Sequence, residues 1–416
     1  MEKTANRGAS GLNQTTSRWS VIIAYAALAA VTQILWVTFT PVTTDAAEQW
    51  GVSVDAVGWL SLVFPLIYVL LSIPFGFAAD RSFRGALAWG AGLTVVGAFI
   101  RVVPGYDYSL AGQIAIAVGQ PLVLNAVNKI AVLYVAPSKR PTAIAAGTAS
   151  LFVGVMISNV TVPFLMEWDG LPAVLWTQAL ISAIACAALL LVLRHPSLYE
   201  EAEGDGVPVS VLRSLREIWG QRWVRLFSLL LFAGFGIFIT LATWLEVLAD
   251  AIGYNSVQVG TGLGIMTAAG IIGAAVLPDF AMRGYRARRI LVLSLAVSTV
   301  LLIFLATGLP TWLFMSLLGL TGLLLLADLP IVLSFAEAKA EPQAAGAVTG
   351  LLLLFGNLGG IVLSLLVQLL LDERVLAISV LAVITVIIMP FALRFPGLPA
   401  RKLPAETEKK QTIYFN

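Results

Sequence analysis

Polar positions break this chain into long apolar runs. Between clusters of charge and Pro/Gly turns lie twelve stretches of about 20 apolar residues, the length a helix needs to cross the hydrocarbon core of a bilayer. They fall at 19–40, 57–79, 86–103, 110–135, 142–166, 172–193, 224–248, 257–277, 290–307, 311–336, 344–371 and 375–393. The pattern predicts an all-α membrane protein with twelve transmembrane helices. The first run is too long for the apolar part of a cleavable signal peptide. It also contains Gln33 and Trp36 and lacks a convincing small-residue cleavage site.

The loops between these runs carry charge unevenly. Of 25 Lys and Arg, 22 fall on one side, leaving Arg101 and Arg374 opposite and Lys129 inside a span. Basic loops stay in the cytoplasm, so both termini are expected there, which requires an even number of crossings. A cell membrane, plasma or inner, is the expected location.

Composition agrees and removes other classes of function. Of 416 residues 59% are hydrophobic and 12% charged, about half the charge of a soluble domain. One histidine (His195) and one cysteine (Cys186) cannot build a disulfide, a CxxC pair or a zinc cluster. A net charge of +2 gives no surface for nucleic acid. No Walker loop, GxGxxG turn or HExxH helix is present, so neither an enzyme nor an ATP-driven pump is expected, and no cofactor.

The halves repeat. Gly76–Gly85, with Asp80, Arg81 and Arg84, is matched about 199 residues later by Pro278–Arg286, with Asp279 and Arg283. Gly147 and Phe152 in the fifth run are matched by Gly350 and Phe355 in the eleventh. Two pseudo-symmetric six-helix bundles follow, at 19–194 and 224–395. Residues 1–18 form a cytoplasmic N-terminal segment. A cytoplasmic linker with a surface helix is expected at 195–223 and a disordered cytoplasmic tail at 396–416.

At these residues the chain resembles the major facilitator superfamily. Gly76–Arg84 is similar to that superfamily's cytoplasmic loop motif, although Ser82 and Phe83 occupy the stretch where a turn glycine is usual. A narrower resemblance, to the feline leukaemia virus subgroup C receptor family, rests on Trp36–Val42, Gly51–Tyr68, Gly119–Ala131 and Gly346–Leu352. It implies transport of choline, ethanolamine or haem. It also implies an aromatic cage in which Trp36 matches the family's tryptophan. Phe238 replaces its tyrosine, while Phe152 and Asn357 stand where two glutamines would be.

Strongly polar side chains inside hydrocarbon cost a few kcal/mol on insertion scales, roughly, so each needs a reason. Asp328 lies deep in the tenth run, just before Pro330, and is a candidate proton carrier or partner for a cationic solute. A carboxylate pinned by a neighbouring helix is the structural alternative. Gln33 and Trp36 share a face of the first helix, and Asn125, Asn128 and Lys129 share one of the fourth. Substrate binding is expected at Gln33, Trp36, Asn125, Phe238, Asp328 and Asn357. Gating is expected at Asp80, Arg81, Arg84, Lys129, Asp279 and Arg283. Arg101 and Glu246, near the outer ends of their runs, are expected to reach the membrane interface and to serve gating or solvation rather than transport chemistry.

These residues point to a secondary transporter moving a small organic solute, cationic ones included, by alternating access. Coupled protons are an option, the lipid bilayer is the other partner, and a monomer is expected. Proton-coupled efflux of hydrophobic compounds fits the apolar cavity as well. A non-transporting receptor or scaffold would carry no intramembrane charge and a sizeable soluble domain.

Overall fold

A computed structural model describes residues 16–199, 216–282, 286–308, 310–340 and 345–396. These residues form helices and turns, with no strand among them. The first half contains α1 (Trp19–Trp36), α2 (Thr43–Trp50), α3 (Val54–Arg81), α4 (Phe83–Ile100), α5 (Tyr106–Leu124), α6 (Val127–Tyr134) and α7 (Arg140–Val192). The second contains α8 (Arg222–Asp250), α9 (Ser256–Ala281), α10 (Arg286–Thr307), α11 (Thr311–Lys339), α12 (Ala345–Gln368) and α13 (Arg374–Ala392).

Helix α7, at 53 residues, would measure roughly 80 Å if straight, far more than a bilayer core. It breaks at Asp169 and at Gly170, whose φ of 64° and ψ of −159° suit glycine alone. The chain reverses there: Ala143 and Leu189 share one core cluster, and Leu171 packs in another at the opposite end. Helices α5 and α6 are one span bent by 42°, and Pro121 inside α5 lacks the N–H that would continue the ladder. Among the described residues ten helices are long and apolar enough to cross a membrane, or eleven with the bent pair. Dividing α7 at its break brings the crossing segments to about twelve.

The first span is shorter than the hydropathy suggests. Its helix stops at Trp36, and a 3-10 turn, Thr40–Val42, leads into α2. Pro41 explains the stop, because it can neither donate to Val37 nor leave room for that carbonyl in a continuing helix. The repeat partner of this span, α8, runs unbroken for 29 residues.

Each half has its own apolar core, and the packing repeats. The first arm of α7 lies along α1 as α12 lies along α8, and α5 packs on α3 as α11 packs on α9. Lipid offers no hydrophobic drive for helices to associate, so close contact must supply it. Glycine permits that contact. A Cβ on Gly359 would stand 2.0 Å from the Phe232 carbonyl, and one on Gly322 1.8 Å from that of Met266. Between the halves, Gly58 of α3 lies against the Trp244 ring of α8. Trp244 is fully buried and donates to the Ser364 carbonyl at 3.1 Å.

The expected linker helix at 195–223 is described only from residue 216 onward, where residues 216–219 are helical. Trp219 there stacks on Phe355 of α12 with ring centroids 4.8 Å apart. The expected N-terminal segment and tail lie almost wholly outside the described residues.

Gly322→Val should therefore force α9 and α11 apart and cost about 3 kcal/mol, the upper end for overpacking. Gly350, with no atom within 4 Å of an added Cβ, is the control. Thermal unfolding in detergent should fall sharply for Gly322→Val and not for Gly350→Ala.

Candidate functional site

A cavity of about 400 Å³ lies between the two bundles, lined from α1, α3, α5, α6, the first arm of α7, α8, α11 and α12. It brings together Gln33, Trp36, Asn125, Phe238 and Asn357, five of the six residues expected to bind substrate. Spacing explains the grouping. Gln33 and Trp36 lie one turn apart on α1, and Phe235 and Phe238 lie one turn apart on α8.

The aromatic lining comes as two pairs. Trp36 and Phe64 meet at 6.4 Å from the first bundle, and Phe235 and Phe238 stack at 6.0 Å from the second. The Trp36 indole N–H is already donated to the Ser61 carbonyl at 3.0 Å, so the ring face is what it offers a solute. The amides are less engaged. Asn125 reaches the Ser72 carbonyl at 3.4 Å, and Asn357 donates to the Leu353 carbonyl one turn earlier at 3.0 Å. Among the described residues no charged side chain lines the cavity.

Asp328 does not line it. Leu329 and Leu333, one turn apart on α11, face the cavity, whereas Asp328 is rotated away. It is buried between helices and accepts from Ser294 of α10 at 2.7 Å, with Gly234 of α8 beside the same oxygen. Its other oxygen, Oδ1, has no hydrogen-bond partner. Sequence gives its depth in the bilayer but not its azimuth on the helix.

Among the aromatic and amide lining residues, sequence reasoning missed Phe64, Tyr68, Gln120 and Phe235 as candidates. Gln120 is 4% exposed and its Nε2 has no partner. A signal was available: Gln120, Leu124 and Asn128 recur every four residues along one helical face.

The face on which α1 begins is called the near face. The cavity opens toward it, where Asn128 and Thr148 are exposed. The far end is closed by contacts between the bundles. Glu246 of α8 accepts from both the backbone N–H and the hydroxyl of Thr44, at the start of α2, and Ser256 of α9 donates to Asp45 at 2.6 Å. Glu246 is 1% exposed, so the expectation that it reaches the interface is corrected: it caps a helix of the opposite bundle.

Arg101 is corrected in the same way, since it is fully buried rather than interfacial. Its guanidinium donates to the Leu35 carbonyl, Thr38, Gln113 and Gln178. Of the expected gating residues, Arg84 is exposed and bonds within its own bundle, to the Tyr134 hydroxyl and the His195 carbonyl, both at 3.1 Å. Asp279 is exposed near the end of α9, and Lys129 is half-buried on α6. The side chains of Asp80 and Arg81, and all of Arg283, lie outside the described residues.

Comparison with known proteins agrees with this architecture. Residues 21–364 match the family model "Major Facilitator Superfamily". Solute carrier family 49 member A3 of Xenopus tropicalis is 26% identical over 376 residues, which are 84% of this chain and 77% of that protein. The human choline/ethanolamine transporter FLVCR2 is 22% identical over 374 residues, 84% and 71% of the two chains. Among solved structures, an inward-facing, unoccupied bacterial homologue of the lysosomal transporter Spinster superposes with a TM-score of 0.72 at 14% identity. It covers 90% of this chain and 96% of that one. The nucleoside transporter NupG gives 0.68 at 16% identity, covering 90% and 99%. Family and fold are those of membrane transporters, not of enzymes. The chain thus belongs to the Major Facilitator Superfamily and is a multi-pass secondary transporter.

Proposed function

We propose that the protein is a uniporter for a small organic cation of the quaternary-ammonium kind, carried by rocking of the two bundles about the central cavity. The observation that carries this reading is the pair of aromatic side chains contributed by each bundle to one cavity. A quaternary ammonium has no N–H to donate and is held by ring faces, each worth about 0.5–2 kcal/mol. A primary ammonium has three donors that need acceptors, which a lining without carboxylates supplies poorly. Gln33, Asn125 and Asn357 offer hydrogen bonds to a hydroxyl on the same solute. Choline, one of the two solutes in the human relative's name, is of this kind, whereas the other, ethanolamine, is a primary amine.

The near face is the cytoplasmic one in this reading, because it gathers the Lys and Arg residues. Both termini are then cytoplasmic, in a plasma or inner membrane, and the cavity is open inward. Asp80, Arg81, Arg84, Lys129, Asp279 and Arg283 are assigned to closing that face in the opposite state from their place in the sequence, toward the cytoplasmic ends of the spans. One copy of the chain encloses the pathway, consistent with a monomer. A second reading, proton coupling with efflux of hydrophobic compounds, is favoured by one observation, the unpartnered oxygen of Asp328.

Three measurements test these readings. Trp36→Ala should raise the KM for radiolabelled choline in proteoliposomes about tenfold, in line with the loss of one aromatic wall; an unchanged KM overturns the cage. Asp328→Asn should leave both uptake and its pH profile unchanged in a uniporter, whereas a flattened profile favours coupled protons. Glu246→Ala removes charge-assisted hydrogen bonds worth about 1.5–3 kcal/mol from the far closure. Labelling of a Val42→Cys reporter by an impermeant maleimide should rise severalfold in that background. The native Cys186 is buried and adds little signal.

A further inference from the structure

Trp36 is the last residue of α1, so the carbonyls of the preceding turn have no helical N–H ahead of them. In hydrocarbon such groups need other donors. Here those of Gln33, Ile34 and Leu35 are accounted for. The Gln33 carbonyl accepts from the Val37 N–H. That of Ile34 accepts from the Ser158 hydroxyl. That of Leu35 accepts from Thr38 at 2.9 Å, Gln113 at 3.2 Å and the Arg101 guanidinium at 3.3 Å.

Arg101 is the hub of this arrangement. It arrives from the end of α4, is 0% exposed, and its four hydrogen-bond acceptors are neutral oxygens. Its second nitrogen holds Thr38 at 3.2 Å and Gln178 at 2.5 Å, and its carbon lies 5.4 Å from the centre of the Phe39 ring. It thus grips the chain on both sides of Trp36, at residues 35, 38 and 39. A buried cation costs several kcal/mol, roughly, unless its donors are matched. The negative end of the α1 dipole and four oxygen acceptors on the two terminal nitrogens offset that cost, with Nε alone left without a partner. Lysine has the charge but not the planar fork that reaches these acceptors together.

We propose that Arg101 is the positioning residue for Trp36: its guanidinium caps the broken end of the first span and thereby fixes the indole in the central cavity. The proposal rests on the reading that Trp36 meets the solute, and its test separates the two. Arg101→Lys should raise the KM for choline about tenfold in proteoliposomes, with Vmax within about twofold. The double variant Arg101→Lys/Trp36→Ala should be no worse in KM than Trp36→Ala alone, because both changes remove one interaction. A residue that only stabilises the bundle would lower Vmax and folded yield and leave KM unchanged.

A second readout needs no solute. Subtracting the emission of the matching Trp36→Phe protein isolates the Trp36 signal. That signal should shift to the red and become more quenchable by acrylamide in Arg101→Lys. Gln178→Met, which leaves Arg101 in place but frees one arm, should give a smaller change in the same direction and serves if Arg101→Lys does not fold. Failure of the wild type to carry choline would sink the quaternary-ammonium reading and leave the emission test to decide the role of Arg101. An unmoved Trp36 emission in both variants, or KM effects that add, would overturn the proposal.

Discussion

Hydrocarbon contains no water to accept the hydrogen bonds that a helix leaves unmade at its ends. This protein places such an end beside its cavity, where the first span is interrupted after Trp36. The cost is a set of bare carbonyls at low dielectric. At Trp36 that cost is met by side chains from three other segments, Arg101 and Gln113 at Leu35 and Ser158 at Ile34, together with Thr38 of the same strand of chain. The far closure solves the complementary problem. Glu246 supplies an acceptor to the exposed N–H end of α2. Both ends of the interrupted segment are therefore held by charged side chains, one cation and one anion, each matched to the sign of the helix end it meets.

The two bundles reuse one packing scheme for different purposes. Glycine contacts bring α12 against α8 and α11 against α9 at backbone distance. Between bundles the contacts are fewer and more polar at the far end, where Thr44, Asp45, Glu246 and Ser256 meet. Rigid halves with a breakable polar seam suit alternating access, in which whole bundles turn about the cavity. Breaking α1 while leaving its repeat partner α8 continuous makes the pseudo-symmetry incomplete at the site itself.

Much of this was legible in the sequence, and the boundary of legibility has a physical cause. Hydropathy reports depth, so the spans, the duplicated halves and the exceptional polarity of Asp328, Arg101 and Glu246 could all be read. It does not report azimuth. A residue at the right depth faces either the cavity or a neighbouring helix, and Asp328 faces Ser294 while Leu329 beside it lines the cavity. Periodicity recovered azimuth where two polar residues marked one face, as Gln33 did for Trp36. It could not do so for Arg101, whose partners come from α1, α5 and the second arm of α7. The interruption after Trp36 was written in Pro41, but the apolar run continued across it and concealed the break.

The neutrality of the cavity lining has a consequence for energetics across the membrane. A lining without charge moves no charge of its own when the bundles rock, so the voltage acts only on the solute. For a monovalent cation this is worth about 2.3 kcal/mol per 100 mV, or roughly fifty-fold in concentration at equilibrium. In a cell whose interior is negative, a passive carrier of this construction would accumulate such a cation inside until that ratio is reached, and would run backwards beyond it. Its direction would belong to the cargo and the cell rather than to any ion-binding residue in the protein.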